Sequence, residues 1–528
     1  TELTDDAWVG ASMTRDGGLT WMSRVVPGWP LYQGGAGPIG HDFAADPNTA
    51  AVPGLVLYNF IAADRGKKGT GGLFVQRWFE SDQENGFPYV PSQDTILIAK
   101  GTSCPQCSGQ FIDKPHMIAT LNPESGRPPV DVWDTLEDGS TRNAKIPAGE
   151  LHLVYSVFTG SKQDTSKILH TYSTDWGQTW SSESKITESV DINQSAHLVA
   201  RGDELLVVWR RFDDNNETNA LMYSMSRDRG QTWDKGEVLA ELTCPYDQPT
   251  RNNMFRTTVH PVAATDGNKF YVFWSQRGED PVLNSCDFGL ARIVMMSSTD
   301  GVNWDTPVAV DNGFDVQGRG YQFMPSVTSA NGVLQLAWYD TRDSLLQIHN
   351  EAVMDVLFPE SDTLRYGLIG KHTADVRGMQ IVNGVPVSAS SIRISTYPMV
   401  QAPFLGPNKA MQVGHNLLGA RMFAGGKVPF MGDYISVAAR GSRLDDSGQW
   451  VNNQATGAAV PDTFYTAWTD NRDSRGDRWG DLSDIKTTTY TPSGTNIPPK
   501  ATLDLEPGSE ADPSYRDCLL YTSPSPRD

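Results

Sequence analysis

Two patterns of apolar and polar positions run along this chain, out of phase with each other. In the first, a short apolar run is broken by a polar turn and followed by a second run that ends in an aromatic residue. Ser195–Ala200 precedes Leu205–Trp209, Val259–Ala264 precedes Phe270–Trp274, and Phe323–Thr328 precedes Leu334–Trp338. Lys114–Ala119 with Leu151–Tyr155 and Gly432–Val437 with Phe464–Trp468 repeat the arrangement, and Ala45–Ala50 with Leu55–Tyr58 is a weaker copy. Apolar runs this short and this continuous predict strands buried on both faces. The second pattern is an octet of hydroxyl, Asp, Gly and Trp: Ser173–Trp180, Ser226–Trp233, Thr14–Trp21 and, one residue shorter, Ser298–Trp304. A strand-like run precedes each of the two longer internal copies and the short one: Ile168–Tyr172, Ala220–Met225 and Arg292–Met296.

The octet has the chemistry of a hairpin turn. Its Asp (Asp16, Asp175, Asp228, Asp300) accepts backbone N–H groups from its own turn. Its Gly takes a positive φ without steric cost, and its Trp (Trp21, Trp180, Trp233, Trp304) starts the next strand and folds back onto the sheet. Four such turns in one setting predict a repeat architecture. Joining the two patterns gives units at about 43–103, 108–188, 193–242, 256–312, 321–398 and 430–492, with a fragment at 1–30 and a degraded octet near Ser81–Gly86.

The octets resemble the Asp boxes, or BNR repeats, of the sialidase superfamily. The resemblance implies an all-β fold, a β-propeller of four-stranded antiparallel blades. Six blades is the family norm, and seven is the count if residues 1–30 belong to a further blade. It implies that each box joins the third and fourth strands of a blade, on the face away from the active site. The propeller is expected over residues 1–492, with an N-terminally truncated first blade at 1–30 and an irregular insertion at about 345–430. A linker or tail follows at 493–517, and 518–528 resembles the translation of a sequencing adapter.

Composition narrows the partners. The chain has 528 residues and a net charge of −20, which argues against nucleic acid and anionic membranes. No run of 18 apolar residues predicts a membrane span. Cys104 with Cys107, and Cys244 with Cys286, are disulfide candidates, which points to a secreted or cell-surface protein. Cys104 and Cys107 are also spaced as half a zinc site, but no second close pair completes it. The Asp-rich loops at Asp213–Glu217 and Asp470–Asp477 carry oxygen ligands of the kind structural calcium uses, without an EF-hand layout. No cofactor or catalytic metal is expected, and the chain is read as a monomer or part of a larger multi-domain protein.

In a propeller the starts of the inner strands converge. Here they hold Asp113, Lys114, His116, Gln194, His197, Arg256, His260, Gln322, Asp433 and Tyr434. A second set follows the aromatic strand ends: Arg211, Arg277, Asp340, Arg342, Asp343, Asp470 and Arg472. Asp113 and Asp433 are candidates for acid/base work, and Tyr434 for a nucleophile. Lys114, Arg256, His260, Arg342 and Arg472 are candidates for binding an acidic sugar, since a carboxylate suits bidentate cations. The bland alternatives are strand-start Asp caps, a packed Tyr, imidazoles bonded to a neighbouring strand, and structural Arg–Asp pairs. The resemblance implies a Tyr nucleophile activated by a Glu, with an Asp as acid/base. It also implies an Arg in a Phe-Arg-Ile-Pro strand start. Aligned on the Pro, this chain holds Lys114, Ser195, Val259, Phe323 or Gly432 there, none of them Arg. Glu351 and Tyr366 fall in the irregular segment, unpaired by anything in the sequence. Three functions follow as expectations, with a glycan or glycoprotein as the partner: a secreted sialidase-like glycoside hydrolase acting on terminal acidic sugars of glycoconjugates, a non-catalytic propeller that binds glycans or proteins, and a polysaccharide lyase or other glycosidase on the same scaffold.

Overall fold

The computed structural model describes the chain from residue 9 to residue 497. The exceptions are 16–21, 27–40, 65–68, 82–85, 103–109, 123–125, 160–164, 189–190, 213–218, 248–256, 278–289, 312–319, 343–373, 388–390, 396–398, 402–409, 413–420, 424–427, 430–431, 440, 446, 453–463, 471–483 and 491–495. Every regular element among the described residues is a β-strand. The octet at Thr14–Trp21 sits between two paired strands, Gly10–Met13 and Met22–Val25, but Asp16 and Trp21 lie outside the described residues.

Antiparallel sheets built around four strands follow one another along the chain. Sheet 1 is Phe43–Val52, Leu55–Ala63, Thr70–Glu80 and Tyr89–Pro91, with Ile96–Thr102 also paired to the third strand. Sheet 2 is Phe111–Leu121, Gly149–Thr159, Thr165–Ser173 and Ser184–Lys185. Sheet 3 is Ile192–Arg201, Glu204–Phe212, Ala220–Ser226 and Glu237–Glu241. Sheet 4 is Val262–Thr265, Phe270–Arg277, Ala291–Ser298 and Val308–Ala309. Sheet 5 is Gln322–Ala330, Val333–Asp340, Asp375–Val382 and Val385–Pro386, with Ile392–Arg393 paired to the third strand. Sheet 6 is Ser436–Ala438, Phe464–Asp470, Asp484–Tyr490 and Asn496–Ile497. Part of the stretch read as an irregular insertion, residues 375–393, therefore completes sheet 5.

The first strands of sheets 1 to 6 pack on one another in chain order. Their apolar faces meet those of the neighbouring sheets. Leu57 and Val75 of sheet 1 cluster with Leu153 and Tyr155 of sheet 2, and Tyr271 and Ile293 of sheet 4 with Leu336 and Trp338 of sheet 5. This burial on both faces is why the strands read as near-continuous apolar runs.

A second device joins the first strands. In sheets 1, 2, 3 and 5 the register between the first two strands shifts. Within each shift one residue takes a positive φ: Asp46 at 50°, Lys114 at 49°, Ser195 at 60° and Met324 at 50°. Such a bulge leaves a residue out of the ladder, and Pro47, Pro115 and Pro325, which have no N–H to pair, follow three of them. Two residues past each bulge, a polar side chain accepts a backbone N–H from the first strand of the next sheet. Met117 N–H donates to Asn48 Oδ1 at 2.9 Å, Leu198 N–H to His116 Nδ1 at 3.2 Å, and Ala263 N–H to His197 Nδ1 at 3.2 Å. Val437 N–H donates to Ser326 Oγ at 3.0 Å. Without these acceptors, edge N–H groups would be buried unpaired.

The internal octets sit at the opposite end of the sheets, between third and fourth strands. Asp175 Oδ1 accepts Thr179 N–H at 2.8 Å, and Asp228 Oδ1 accepts Thr232 N–H at 2.8 Å. Asp300 Oδ1 accepts Asn303 N–H at 2.7 Å. The opening Ser accepts the Gly N–H in all three, at 2.8, 2.7 and 2.9 Å. Gly177, Gly230 and Gly301 have φ of 81°, 79° and 72°. Each Gly also lies against the sheet before it: a Cβ would come within 3.3 Å of Leu57, 2.4 Å of His170 and 2.7 Å of Met225. Trp233 packs edge-on to His170 at 5.1 Å and Trp304 to Tyr223 at 5.6 Å. One reading of the octet needs correcting: Trp180, Trp233 and Trp304 do not start the fourth strands, which begin at Ser184, Glu237 and Val308, but cover the inter-sheet cores from the turn.

Gly230→Ala should therefore cost more than positive φ alone. Gly202, at φ 58° with open space around it, is the control. In urea unfolding, Gly202→Ala is expected to lose about 1 kcal/mol and Gly230→Ala roughly 2 kcal/mol more, because the added methyl must displace buried His170. Equal losses would show that the turn does not press on sheet 2.

Burial holds the His116 imidazole down to about 4. Burial and then the neighbouring His116 hold His197 well below its usual value. Both are thus unprotonated acceptors at neutral pH. The unfolded chain takes up protons near pH 6.5, so this contribution is full above that pH and is lost as pH falls towards 4. His116→Gln should flatten the fall in unfolding free energy between pH 6.5 and 4 by about one proton, on the order of 3 kcal/mol over that window. An unchanged slope would sink the assignment.

Candidate active site

The bulge residues and those just before them come together at the end of the sheets where first strands begin. Counted from the bulge, Asp46 of sheet 1, Lys114 of sheet 2 and Ser195 of sheet 3 are equivalent. Tyr434, two residues before Ser436, holds the same place ahead of sheet 6. The residues preceding them are Ala45, Asp113, Gln194 and Asp433. This register corrects the alignment made on proline: Lys114 and Ser195 match Met324, whereas Val259 and Phe323 match Asp113 and Gln194 one position earlier.

Lys114 is the centre of the cluster. Its Nζ donates to Asp433 Oδ2 at 2.8 Å and to Tyr434 Oη at 3.0 Å, and lies 4.9 Å from the Tyr434 ring centroid. Its backbone N–H donates to Asp46 Oδ2 at 3.2 Å. Gln194 Nε2 donates to Asp113 Oδ2. Asp113 is fully buried, and Asp46, Lys114 and Asp433 are 2, 4 and 5% exposed, so the charges interact where water screens little. Tyr434 is 39% exposed, with both its hydroxyl and its ring against the lysine ammonium.

Burial opposes the charge on Lys114, but Asp433, Tyr434, Asp113 and Asp46 outweigh it and hold the ammonium well above the usual lysine value. Asp46 goes the other way. Burial raises it well above the carboxylate range, Lys114 offsets part of that, and the Asp113 charge and hydrogen bond raise it further. Neither Asp46 Oδ1 nor Asp113 Oδ1 has an ordinary hydrogen-bond partner otherwise. Burial and the neighbouring Asp113 thus both disfavour the charge on Asp46. Burial, then the Asp46 charge, push the Tyr434 phenol well above its usual value, so it stays neutral.

The structure thus brings four of the sequence candidates, Asp113, Lys114, Asp433 and Tyr434, into one cluster with Gln194. It separates others from it. His116 and His197 stack at 3.9 Å between strands, as inter-strand acceptors. Gln322 is spent on Ile293 N–H and the Asp311 carbonyl. Arg342 is buried between Asp340 at 2.6 Å and Asp311 at 2.5 Å, tying the end of sheet 4 to sheet 5. Although burial disfavours its charge, these carboxylates raise its pKa further. Arg277 lies over the Tyr246 ring at 4.7 Å. His260 is half-buried just before sheet 4. Arg256, Arg472, Asp343, Glu351, Tyr366, Cys104, Cys107 and Cys286 lie outside the described residues. Cys244 is disulfide-bonded to a partner that also lies outside them.

Asp46 is the residue the sequence reading missed. The signal was present, because Ala45-Asp46-Pro47-Asn48 repeats the turn of Asp113-Lys114-Pro115-His116 with the acid moved to the bulge position. Among the described residues no group of three metal-ligating side chains is positioned to hold an ion.

Lys114→Met should leave Asp433 buried and uncompensated, at a cost of roughly 3–5 kcal/mol in urea unfolding. Lys114→Met with Asp433→Asn should recover most of that loss. A double variant no more stable than the single would show that the two charges do not pair. The lysine contribution is present below its unfolded pKa and is lost only as pH rises through its higher folded value.

Comparison with known proteins places residues 140–313 as a match to the family described as BNR repeat-like domain, a span that contains the three internal octets. No curated protein matches. Among solved structures, a Trypanosoma rangeli sialidase in complex with sialic acid is similar at 12% identity and a TM-score of 0.32, covering 63% of this chain and 47% of that one. The chain thus spans about half the length of that sialidase. A GH93 α-L-arabinofuranosidase of Fusarium graminearum gives 13% identity and a TM-score of 0.35 over 63% of this chain and 80% of that one. A Penicillium chrysogenum α-L-arabinanase gives 15% and 0.30 over 71% and 98%.

Proposed function

We propose that this chain, whose residues 140–313 carry a BNR repeat-like domain, is a secreted glycoside hydrolase built as a six-bladed propeller. The in-order packing of the first strands and the reach of Lys114 from sheet 2 to Asp433 before sheet 6 support closure of the six sheets into a ring. The disulfide at Cys244 supports an oxidising compartment.

The observation that carries the enzymatic reading is the buried cluster in which Asp46, its pKa raised by burial, and Asp433 both bond to Lys114. Asp46 keeps its proton and is suited to give it to a leaving glycosidic oxygen, as a raised-pKa general acid does. Asp113 touches Asp46 too closely to work across the same bond, since paired glycosidase carboxyls stand about 5 Å or more apart. Its role is to hold the proton on Asp46. Asp433 lies on the far side of the Lys114 side chain and is the second carboxylate, acting as base towards water or as nucleophile, with Lys114 compensating its charge. Tyr434, neutral and partly exposed, offers a hydroxyl to the sugar.

Three carboxyls against one ammonium favour a neutral sugar. Even with Asp46 protonated, Asp113 and Asp433 outnumber Lys114, whose ammonium already contacts Asp433 and Tyr434. An acidic sugar would need a further cation, for which Arg256 and Arg472 are the candidates. A second reading, a ring that binds a glycan without cleaving it, draws support from the burial of all three carboxyls at 5% exposure or less.

A panel of fluorogenic neutral glycosides and sialosides separates these readings. Turnover of a neutral glycoside is expected. Asp46→Asn should lower it about 10²–10⁴-fold, and the wild-type rate should fall as pH rises through the raised Asp46 value. The same variant should be at least as stable as wild type at pH 8, because ionising a buried raised-pKa acid costs stability as pH rises. No turnover by the wild type, or full activity in Asp46→Asn, would discard the enzymatic reading.

A further inference from the structure

A cleft of about 450 Å³ lies on sheet 1, at the same end as the carboxyl cluster but towards the outer strands. Its volume falls in the range of small-molecule sites. Phe74 and Leu97 give it apolar walls, and Thr70, Thr95, His41 and Lys100 supply polar groups.

Its chemistry is specific in three respects. Asp64 is spoken for: it accepts Thr70 Oγ1–H at 2.7 Å and pairs with His41 Nδ1 at 2.8 Å. That contact fixes the imidazole through one nitrogen and leaves Nε2 as its second polar atom. Thr95 Oγ1 is buried and makes no hydrogen bond within the protein, a state that costs stability unless a ligand or water satisfies it. Finally, the lining mixes an aromatic wall with hydroxyls, an imidazole and a single exposed ammonium. With the neighbouring Asp64 carboxylate already paired, that is poor for a cation, and the aromatic wall beside hydroxyls suits a molecule with alternating C–H faces and hydroxyl edges.

We propose that this cleft binds a neutral sugar unit, as a subsite outboard of the carboxyl cluster, so that the protein takes an extended neutral oligosaccharide. Binding there does not depend on whether the carboxyls cleave a bond.

The test is calorimetric titration of the full chain with neutral pentasaccharides of glucose, galactose, mannose and arabinose, and with the four monosaccharides. At least one pentasaccharide should bind. Leu97→Trp, which fills the cleft from an exposed position, should weaken that binding about tenfold or more. Thr95→Val, nearly the same shape without the hydroxyl, should weaken it about three- to tenfold. Unfolding midpoints of both variants check that the fold is kept. If the wild type binds none of these sugars, or both variants bind as the wild type does, the proposal falls, whatever the glycoside panel shows. If no glycoside is turned over yet both variants lose binding, the cleft stands and the hydrolase reading falls.

Discussion

Each first strand has one edge that its own sheet does not cover, and the rest of the molecule depends on how that edge is satisfied. A row of buried N–H groups without acceptors would cost several kcal/mol. Here the acceptors come from the preceding sheet, through Asn48, His116, His197 and Ser326. The β-bulge two residues earlier bends each strand and sets where that side chain stands. Apolar burial presses the sheets together, and these bonds fix their order and offset.

The same bulge makes the site. A residue forced to positive φ leaves the alternation of the strand, so its side chain does not follow the in-and-out pattern of its neighbours. In sheets 1 and 2 that residue is Asp46 or Lys114, so a structural kink places ionisable groups at the beginning of neighbouring strands. In sheets 4 and 5 the corresponding positions carry Val259 with half-buried His260, and Phe323 with Met324; Val259, Phe323 and Met324 are buried in an apolar cluster. At these positions the side with sheets 1 and 2 therefore holds charge, whereas sheet 5 holds packing. Within the charged side, burial makes each carboxyl compete for Lys114. Asp433 takes the ammonium and Asp46 takes only the backbone N–H, so burial leaves the Asp46 carboxyl with its pKa raised.

The octets act at the far end of the same sheets, and their roles separate cleanly from the chemistry. Their Asp and Ser close the turn, and their Gly and Trp touch the sheet before. A Cβ at Gly230 or Gly301 would meet His170 or Met225, so these glycines are contact residues as much as turn residues. Arg342 is a comparable case. Its spacing after a strand end suggested an anion-binding group, and the fold instead buries it between Asp340 and Asp311, where its donors are consumed.

What the sequence determined by itself was the repeat: strands buried on both faces, read from continuous apolar runs, and hairpins closed by Ser, Asp and Gly, though not the bulges within the first strands. It also placed Asp113, Lys114, Asp433 and Tyr434 at strand starts, because the repeat marks where each strand begins. What it could not determine was which of these side chains meet. Lys114 and Asp433 are 319 residues apart, and only the stacking of whole sheets brings them to 2.8 Å. Nor could it show that Asp46 belongs with them or that its pKa is raised, because that shift is set by burial and by the neighbouring Asp113. Local patterns fix backbone shape through short-range sterics and hydrogen bonds, whereas electrostatics in a buried cluster depend on distances that exist only after the sheets have packed.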